Sequence, residues 1–273
     1  ARSRIVIAGV LMNFLLAYVL LTLGHFVGLP TIIDETAAVS APRDIKIQII
    51  EVKLGSPAFS AGLKAGDEIV ELRDDSVLAK IFEIDPVQEF INTRKGKEIV
   101  MVIKRGAEVL EKKLTPRLEV PAGEGAVGIA MAKIGIVSQP WYLAPFKGAE
   151  TFFNLMKMTV FAFGRALKQL FAEGSVIAEL SGPVGIAVLI NQATKLGFIY
   201  ILQFTALLSL NLAIINILPF PALDGGRLLF FGIEKIKGSP VSEKFENIVH
   251  TAGFVILIIL MILITVRDVG RWF

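Results

Sequence analysis

The sequence predicts a multi-pass α-helical membrane protein with about three transmembrane helices and an inserted α+β domain. Three observations predict it. First, no charged residue occurs from Ile5 to Ile33, from Leu196 to Leu223, or from Asn247 to Val266. Each stretch reaches the about 20 residues that cross a hydrocarbon core of roughly 30 Å. Second, residues 43–117, between the first two stretches, are charged and alternate in polarity. Third, hydrophobic residues make up 54% and charged residues 19% of the 273, with a mean hydropathy of +0.67. Soluble domains sit near 45–50% and about 25%. Such a chain is not disordered, and with no cysteine it has neither a disulfide framework nor a thiolate zinc site. A net charge of +3 gives no footprint for nucleic acid.

The first span is read at 5–27. It is not a signal peptide, because its apolar part is too long and no small-residue cleavage site follows. The second and third spans are read at 198–218 and 248–266. Basic residues set the orientation. Arg2 and Arg4 precede the first span, and Arg227, Lys235, Lys237 and Lys244 lie between the second and third. Both flanks are therefore expected in the cytoplasm, which puts 30–196 outside it. Arg267 and Arg271 then run against the rule, a conflict that the connectivity forces.

In the external part, Ile45, Ile47 and Ile49 alternate with Lys46 and Gln48, a strand of period two. Further strands are expected at 68–73, 98–105 and 108–114. Ser56-Pro57 opens a short helix, with Ser as N-cap, and Gly62 can end it. Asp85-Pro86 opens another, with Gln88 completing a capping box and Gly96 beyond its end. Pro121, Gly123, Gly125 and Gly128 suggest a linker within 118–148, and Trp141-Tyr142 an interfacial anchor. Residues 146–172 are amphipathic, with a wide aromatic arc that suits the bilayer surface. Residues 180–194 are uncharged but too short to span, and are expected to be re-entrant or partly embedded.

At the cytoplasmic end of the second span stands Asn216-Ile217-Leu218-Pro219-Phe220-Pro221-Ala222-Leu223-Asp224-Gly225-Gly226. The prolines break the helix and the glycines permit close approach. A carboxylate in such a break is a functional-site candidate. The bland alternative is that Asp224 N-caps a helix starting at Gly225. On chemistry alone both stand open.

Two resemblances add to this reading. Gly55-Ser56-Pro57-Ala58 with Ala61-Gly62-Leu63-Lys64-Ala65-Gly66-Asp67-Glu68-Ile69 resembles the signature of bacterial PDZ domains. It implies an extended peptide bound as an added strand. The groove is expected between the strand at 45–50 and the helix at 86–94, lined by Ile45, Ile47, Val87, Phe90 and Ile91, unless these are simply core. The string 216–225 resembles the N-x-x-P-x-P-x-L-D-G motif of the site-2 proteases, intramembrane zinc metalloproteases, with every fixed position matched. Ser181-Gly182-Pro183-Val184-Gly185-Ile186 is similar to another segment of the bacterial branch that includes the regulator of sigma-E protease. Ala8-Gly9-Val10-Leu11-Met12-Asn13 is similar to its A-G-P-x-x-N segment, with Val10 in place of Pro. The organisation expected is a transmembrane helix in 1–30 and an extracytoplasmic PDZ domain in 31–120. A linker and surface helix follow in 121–180, then a membrane domain with two spans in 181–273.

The resemblance implies zinc, with Asp224 as one ligand, and Asn216, Pro219 and Pro221 holding an unwound substrate segment. The family's H-E-x-x-H lies on a helix preceding the span at 5–27. Here the only histidines are His25 and His250, neither followed by Glu, and neither is expected to be a ligand. The chain opens on Ala1 and is read as the C-terminal part of a protease; deliberate truncation and a natural pseudo-protease stand as alternatives. The implied activity is cleavage of membrane-spanning substrates in a bacterial cytoplasmic membrane. The implied partners are a transmembrane protein or peptide substrate and membrane lipid, with no nucleic acid. Alone, without the His pair and base, the chain is expected to be inactive. Two other classes remain: an inactive membrane-bound PDZ scaffold, and a transporter, against which the lack of an internal repeat argues.

Overall fold

In a computed structural model of the chain, residues 2–33, 42–74, 77–78, 83–121, 123–173, 182–239 and 241–272 are described. Ser181, from one of the segments above, lies outside them. In chain order the elements are α1 Arg2–Val27, β1 Leu29–Ile32, β2 Arg43–Val52, α2 Pro57–Ser60, β3 Glu68–Arg73, β4 Val77–Leu78, α3 Ile84–Thr93, β5 Ile99–Arg105, β6 Glu108–Leu114, β7 Ile129–Val137, α4 Ala144–Glu173, α5 Pro183–Leu196, α6 Phe198–Ile217, α7 Asp224–Lys237 and α8 Glu243–Trp272. They form two compact units. One gathers residues within 1–24, 141–191 and 201–273, the other those within 25–140 and 192–200.

In the helical unit, the charge-free stretches become helices long and apolar enough to cross a membrane: Ile7–Val27, Phe198–Ile217 and Lys244–Gly270. All three expected spans are therefore helical. The amphipathic stretch is α4, but its apolar arc is not all free for lipid. Phe152, Leu155, Met156 and Phe163 pack with Phe14 and Ala17 of α1 and with Leu210 and Ile214 of α6. The Phe152 ring meets Phe14 edge-on at 5.8 Å. Gly148 lets α4 approach α1, since a Cβ there would lie 2.5 Å from Thr22 Oγ1. Small residues serve helix packing in membranes this way. Phe153, Met158, Val160 and Phe161 remain exposed.

The segment expected to be re-entrant is α5, and its start is anchored by an unforeseen group. Asp268 of α8, 3% exposed, accepts the N–H groups of Gly182 at 2.8 Å and Gly185 at 2.7 Å. These are orphan donors of a helix N-terminus, and a carboxylate beside them also meets the favourable end of the helix dipole.

The second unit is an antiparallel sheet in the order β1-β7-β2-β3-β5-β6, with β4 beside β3. The strands expected at 45–50, 68–73, 98–105 and 108–114 are β2, β3, β5 and β6. One expectation fails: within 118–148, residues 129–137 are not linker but β7, which pairs with both β1 and β2. Its run Ile129-Ala130-Met131-Ala132 does not alternate, and no residue of β7 is exposed. A strand covered on both faces loses the period-two signal.

The core holds Ile47, Ile49, Ile69, Leu72, Val87, Phe90, Ile99, Met101 and Val127. Ser56 caps α2 as expected, its Oγ accepting from Phe59 N–H at 3.2 Å. Gly62 and Gly66 carry φ of +73° and +97°, the left-handed backbone that turns the chain into β3. The expected capping box of α3 is absent. The helix starts at Ile84 with Glu83 at the N-cap and no side-chain cap. Asp67 is 1% exposed and is held by Arg105 through Nε at 2.6 Å and Nη2 at 2.7 Å, and by Lys64 N–H at 2.8 Å. The Asp67 hydrogen bond holds the Arg105 guanidinium above its ordinary pKa.

Candidate functional site

The site is built by the way α6 stops. Pro219 and Pro221 have no N–H to continue the helix, so the chain closes a succession of tight turns. Leu218 N–H donates to Ile215 O at 3.1 Å, Phe220 N–H to Leu218 O at 2.7 Å, and Leu223 N–H to Phe220 O at 3.1 Å. Ala222 sits at φ +79°. For a residue with a side chain that backbone costs on the order of 1–3 kcal/mol and persists where the surroundings enforce it.

The surroundings here are close-packed backbone. A Cβ on Gly225 would overlap the carbonyl oxygens of Ile217 and Leu218, and one on Gly226 that of Phe220. The two glycines are thus needed for close approach, not for a positive φ. On the opposite side α8 contributes Gly253, where a Cβ would lie 2.5 Å from Pro221 Cβ and 2.6 Å from its oxygen.

Asp224 emerges from this turn as the first residue of α7, half-buried. The N-cap is Leu223, whose apolar side chain makes no capping hydrogen bond. The reading of Asp224 as N-cap therefore fails: it lies one residue further on, as the first residue inside the helix. Among the described residues its carboxylate has no hydrogen-bond or ion-pair partner. Its charge lies at the favourable end of the α7 dipole. Asn216 is half-buried in the last turn of α6, Pro219 is exposed, and Pro221 is half-buried against Gly253.

His25 falls in the sheet unit. His250 reaches the turn: its Nδ1 accepts from Ala222 N–H at 3.0 Å, and its ring lies 6.1 Å from that of Phe230. Among the described residues, no three His, Asp or Glu side chains come together to hold a metal. What the site holds is one half-buried carboxylate without a partner among the described residues, a donor type that suits zinc by chemistry. Asp268, His250 and Gly253 were not singled out as site residues from the sequence. His250 and Gly253 share a face of α8 three residues apart, which is the one signal that could have joined them.

The peptide groove is not where the sequence suggested. β2 is paired along one edge by β7 and at Gln48 by β3, so the strand at 45–50 lies inside the sheet and is not a free edge strand. Ile47 and Val87 are fully buried core, while Ile45 is exposed. The strand beside α3 is instead β7. A cleft of about 440 Å³ lies between them, lined by Gln88, Ile91 and Asn92 of α3, Lys95 just beyond it, the loop 124–128, and Ile129 and Met131. Ile91 is the one expected groove residue that lines it. β1 pairs with β7 from Ile134 to Val137, and among the described residues no strand pairs with the first residues of that edge, beside α3.

Residues 1–260 match the family described as Peptidase family M50. The zinc metalloprotease RasP of Oceanobacillus iheyensis is 33% identical over 281 residues, covering all of this chain and 60% of that protein. The regulator of sigma-E protease RseP of Salmonella typhimurium is 35% identical over 242 residues, covering 84% of this chain and 52% of that protein. The regulator of sigma-W protease RasP of Bacillus subtilis is 32% identical, covering all of this chain and 60% of the relative. The chain thus spans about half to three-fifths of the length of these relatives. Among solved structures, the PDZ domain of an SdrC-like protein from Listeria monocytogenes matches 35% of this chain and 93% of its own, at 21% identity and a TM-score of 0.27.

Proposed function

The chain belongs to peptidase family M50, the site-2 proteases, and from that premise we propose that it forms part of a zinc metalloprotease that cleaves membrane-spanning proteins. In this reading Asp224 is a zinc ligand, and the remaining ligands and the general base come from an H-E-x-x-H helix outside this sequence. What zinc supplies when bound is Lewis-acid activation for hydrolysis. The observation that carries the reading is the half-buried carboxylate without a partner, presented by a turn packed so closely that three glycines are required around it.

The chain's own residues do the rest. The turn 218–223 is irregular backbone at the end of an apolar helix, a form tolerated at membrane depth where it lines a protein-enclosed or wet cavity. A helical substrate must unwind before its peptide bond can be attacked, and unwinding exposes N–H and C=O groups. The Asn216 amide can satisfy one of each. Pro219 and Pro221 deprive the turn of N–H groups that would compete for the substrate's carbonyls.

The sheet unit, in the same reading, is a PDZ domain that faces away from the cytoplasm and recognises or gates substrate. Its peptide adds as a strand to the open edge of β7, beside α3. The basic residues Arg227, Lys235, Lys237 and Lys244 support a cytoplasmic side for α7. The exposed apolar residues of α4 support contact with lipid along that helix.

The test is proteolysis of a single-span substrate in proteoliposomes by the full-length protein that contains this chain. Cleavage that stops on zinc chelation and returns with added zinc is expected. Cleavage indifferent to zinc, or none by a folded, zinc-loaded protein, overturns the proposal. The second outcome would favour the membrane-bound scaffold.

A further inference from the structure

We infer that His250 is a positioning residue for the turn that presents Asp224, acting through Nδ1 as a hydrogen-bond acceptor, and is not a metal ligand. The inference rests on the reading of Asp224 as a ligand.

A neutral imidazole has one nitrogen that donates and one that accepts. Ala222 N–H is a donor and lies 3.0 Å from Nδ1, so Nδ1 supplies its lone pair and the proton resides on Nε2. A metal ligand needs a free lone pair. The Nδ1 pair is engaged by the turn, and Nε2 is protonated, buried and without a hydrogen-bond partner among the described residues. Both ways of binding zinc are therefore closed in this arrangement.

The same contact has a clear mechanical use. Pro219 and Pro221 have no N–H, so the turn has few backbone donors by which anything can grip it. Ala222 supplies one of them, at the residue that holds the unfavourable φ of +79°. One turn along α8, Gly253 admits Pro221 into direct contact. α8 therefore holds two adjacent residues, Pro221 by packing and Ala222 by hydrogen bond. Asp224 follows two residues later. The His250 ring also faces Phe230 on α7, so one side chain contacts both the turn and the helix that Asp224 begins. Among the described residues no other acceptor holds the Ala222 N–H, so without this bond the strained turn is free to relax.

The chain has only two histidines, which makes the tautomer measurable. In lipid nanodiscs, ring-15N-histidine labelling of the His25→Gln chain leaves the signals of His250 alone. The expected result at neutral pH is an Nε2–H tautomer with Nδ1 unprotonated. An Nδ1–H tautomer, or a doubly protonated ring, overturns the inference.

The second arm uses the full-length protein and asks for rescue. His250→Asn keeps an acceptor near the place of Nδ1, His250→Gln moves the amide toward Nε2, and His250→Leu removes both. Hydrogen exchange of 219–226 is expected to be roughly tenfold faster in the Leu and Gln variants, the loss of one hydrogen bond, and within about twofold of wild type for Asn. Zinc content is expected unchanged in all three. Equal exchange in all variants, or zinc lost on His250→Asn, overturns the inference. If the exchange series behaves as expected while Asp224→Asn retains zinc, the metal reading of Asp224 has failed and the positioning of the turn has not.

Discussion

Gly225→Ala sets two known effects against each other, and the structure decides the sign. Gly225 is the second residue of α7. Helix propensity favours Ala over Gly by about 0.8–1 kcal/mol. Sterics oppose it: the new methyl would overlap the carbonyl oxygens of Ile217 and Leu218. Neither oxygen belongs to a flexible side chain, so relief requires moving the end of α6 or the start of α7. Overpacking of this kind costs typically about 1–3 kcal/mol, and two backbone contacts place it toward the upper end. The net expectation is a loss of about 1–2 kcal/mol. Gly232→Ala, on the same helix, has nothing within 4 Å of the new Cβ and should show the propensity gain alone. The pair is compared by denaturant unfolding in dodecyl maltoside. A gap of about 2–3 kcal/mol, with Gly232→Ala the more stable, is expected. Equal stability of the two, or Gly225→Ala above wild type, would refute the argument that close approach, not conformation, requires glycine there.

Three further outcomes follow from the sheet unit. Asp67→Ala leaves the Arg105 guanidinium without its carboxylate in a half-buried setting, and should cost about 3 kcal/mol in unfolding free energy; Asp67→Asn should cost less. Glu71 is held below its ordinary pKa of 4.5, chiefly by its hydrogen bond from Arg73. Its contribution is therefore fully present above pH 4.5 and is lost as pH falls below it, and Glu71→Gln should flatten that part of a stability–pH profile. Met131→Glu, in the cleft beside α3, should weaken binding of a hydrophobic C-terminal peptide by roughly tenfold in fluorescence anisotropy, about 1.4 kcal/mol. Ile45→Glu, on the strand without an open edge, should leave that binding unchanged.

What could be read in the sequence had local causes. The spans follow from charge-free runs, and α2 from Ser56, Pro57 and the glycines that end it. What escaped depends on partners far along the chain. β7 has a run of Ile, Ala and Met with Gly135, whose covered faces suppress alternation, so it passed for linker. With β7 missing, the groove was drawn on β2, which β7 in fact seals. The capping box at Asp85 failed because the helix begins two residues earlier than expected, at Ile84 with Glu83 as N-cap. The string 216–226 was found as a motif, but its packing was not legible: nothing local tells that Gly253 lies against Pro221 or that Asp268 holds Gly182. Asp224 was found with its cap role still open, and only the position of Leu223 at the N-cap separates the two readings.

The central claim, that Asp224 is presented as a metal ligand and not as a structural cap, is tested most directly by Asp224→Asn in the full-length protein. Zinc content per molecule and the unfolding midpoint of a zinc-free sample are measured on the same preparation. The carboxylate has no partner among the described residues, so the midpoint should shift by no more than corresponds to about 0.5 kcal/mol of unfolding free energy, as for a neutral substitution. Zinc content should fall severalfold, and cleavage of a membrane-spanning substrate with it. Full zinc retention together with clear destabilisation of the zinc-free protein would contradict the account and return Asp224 to a structural role.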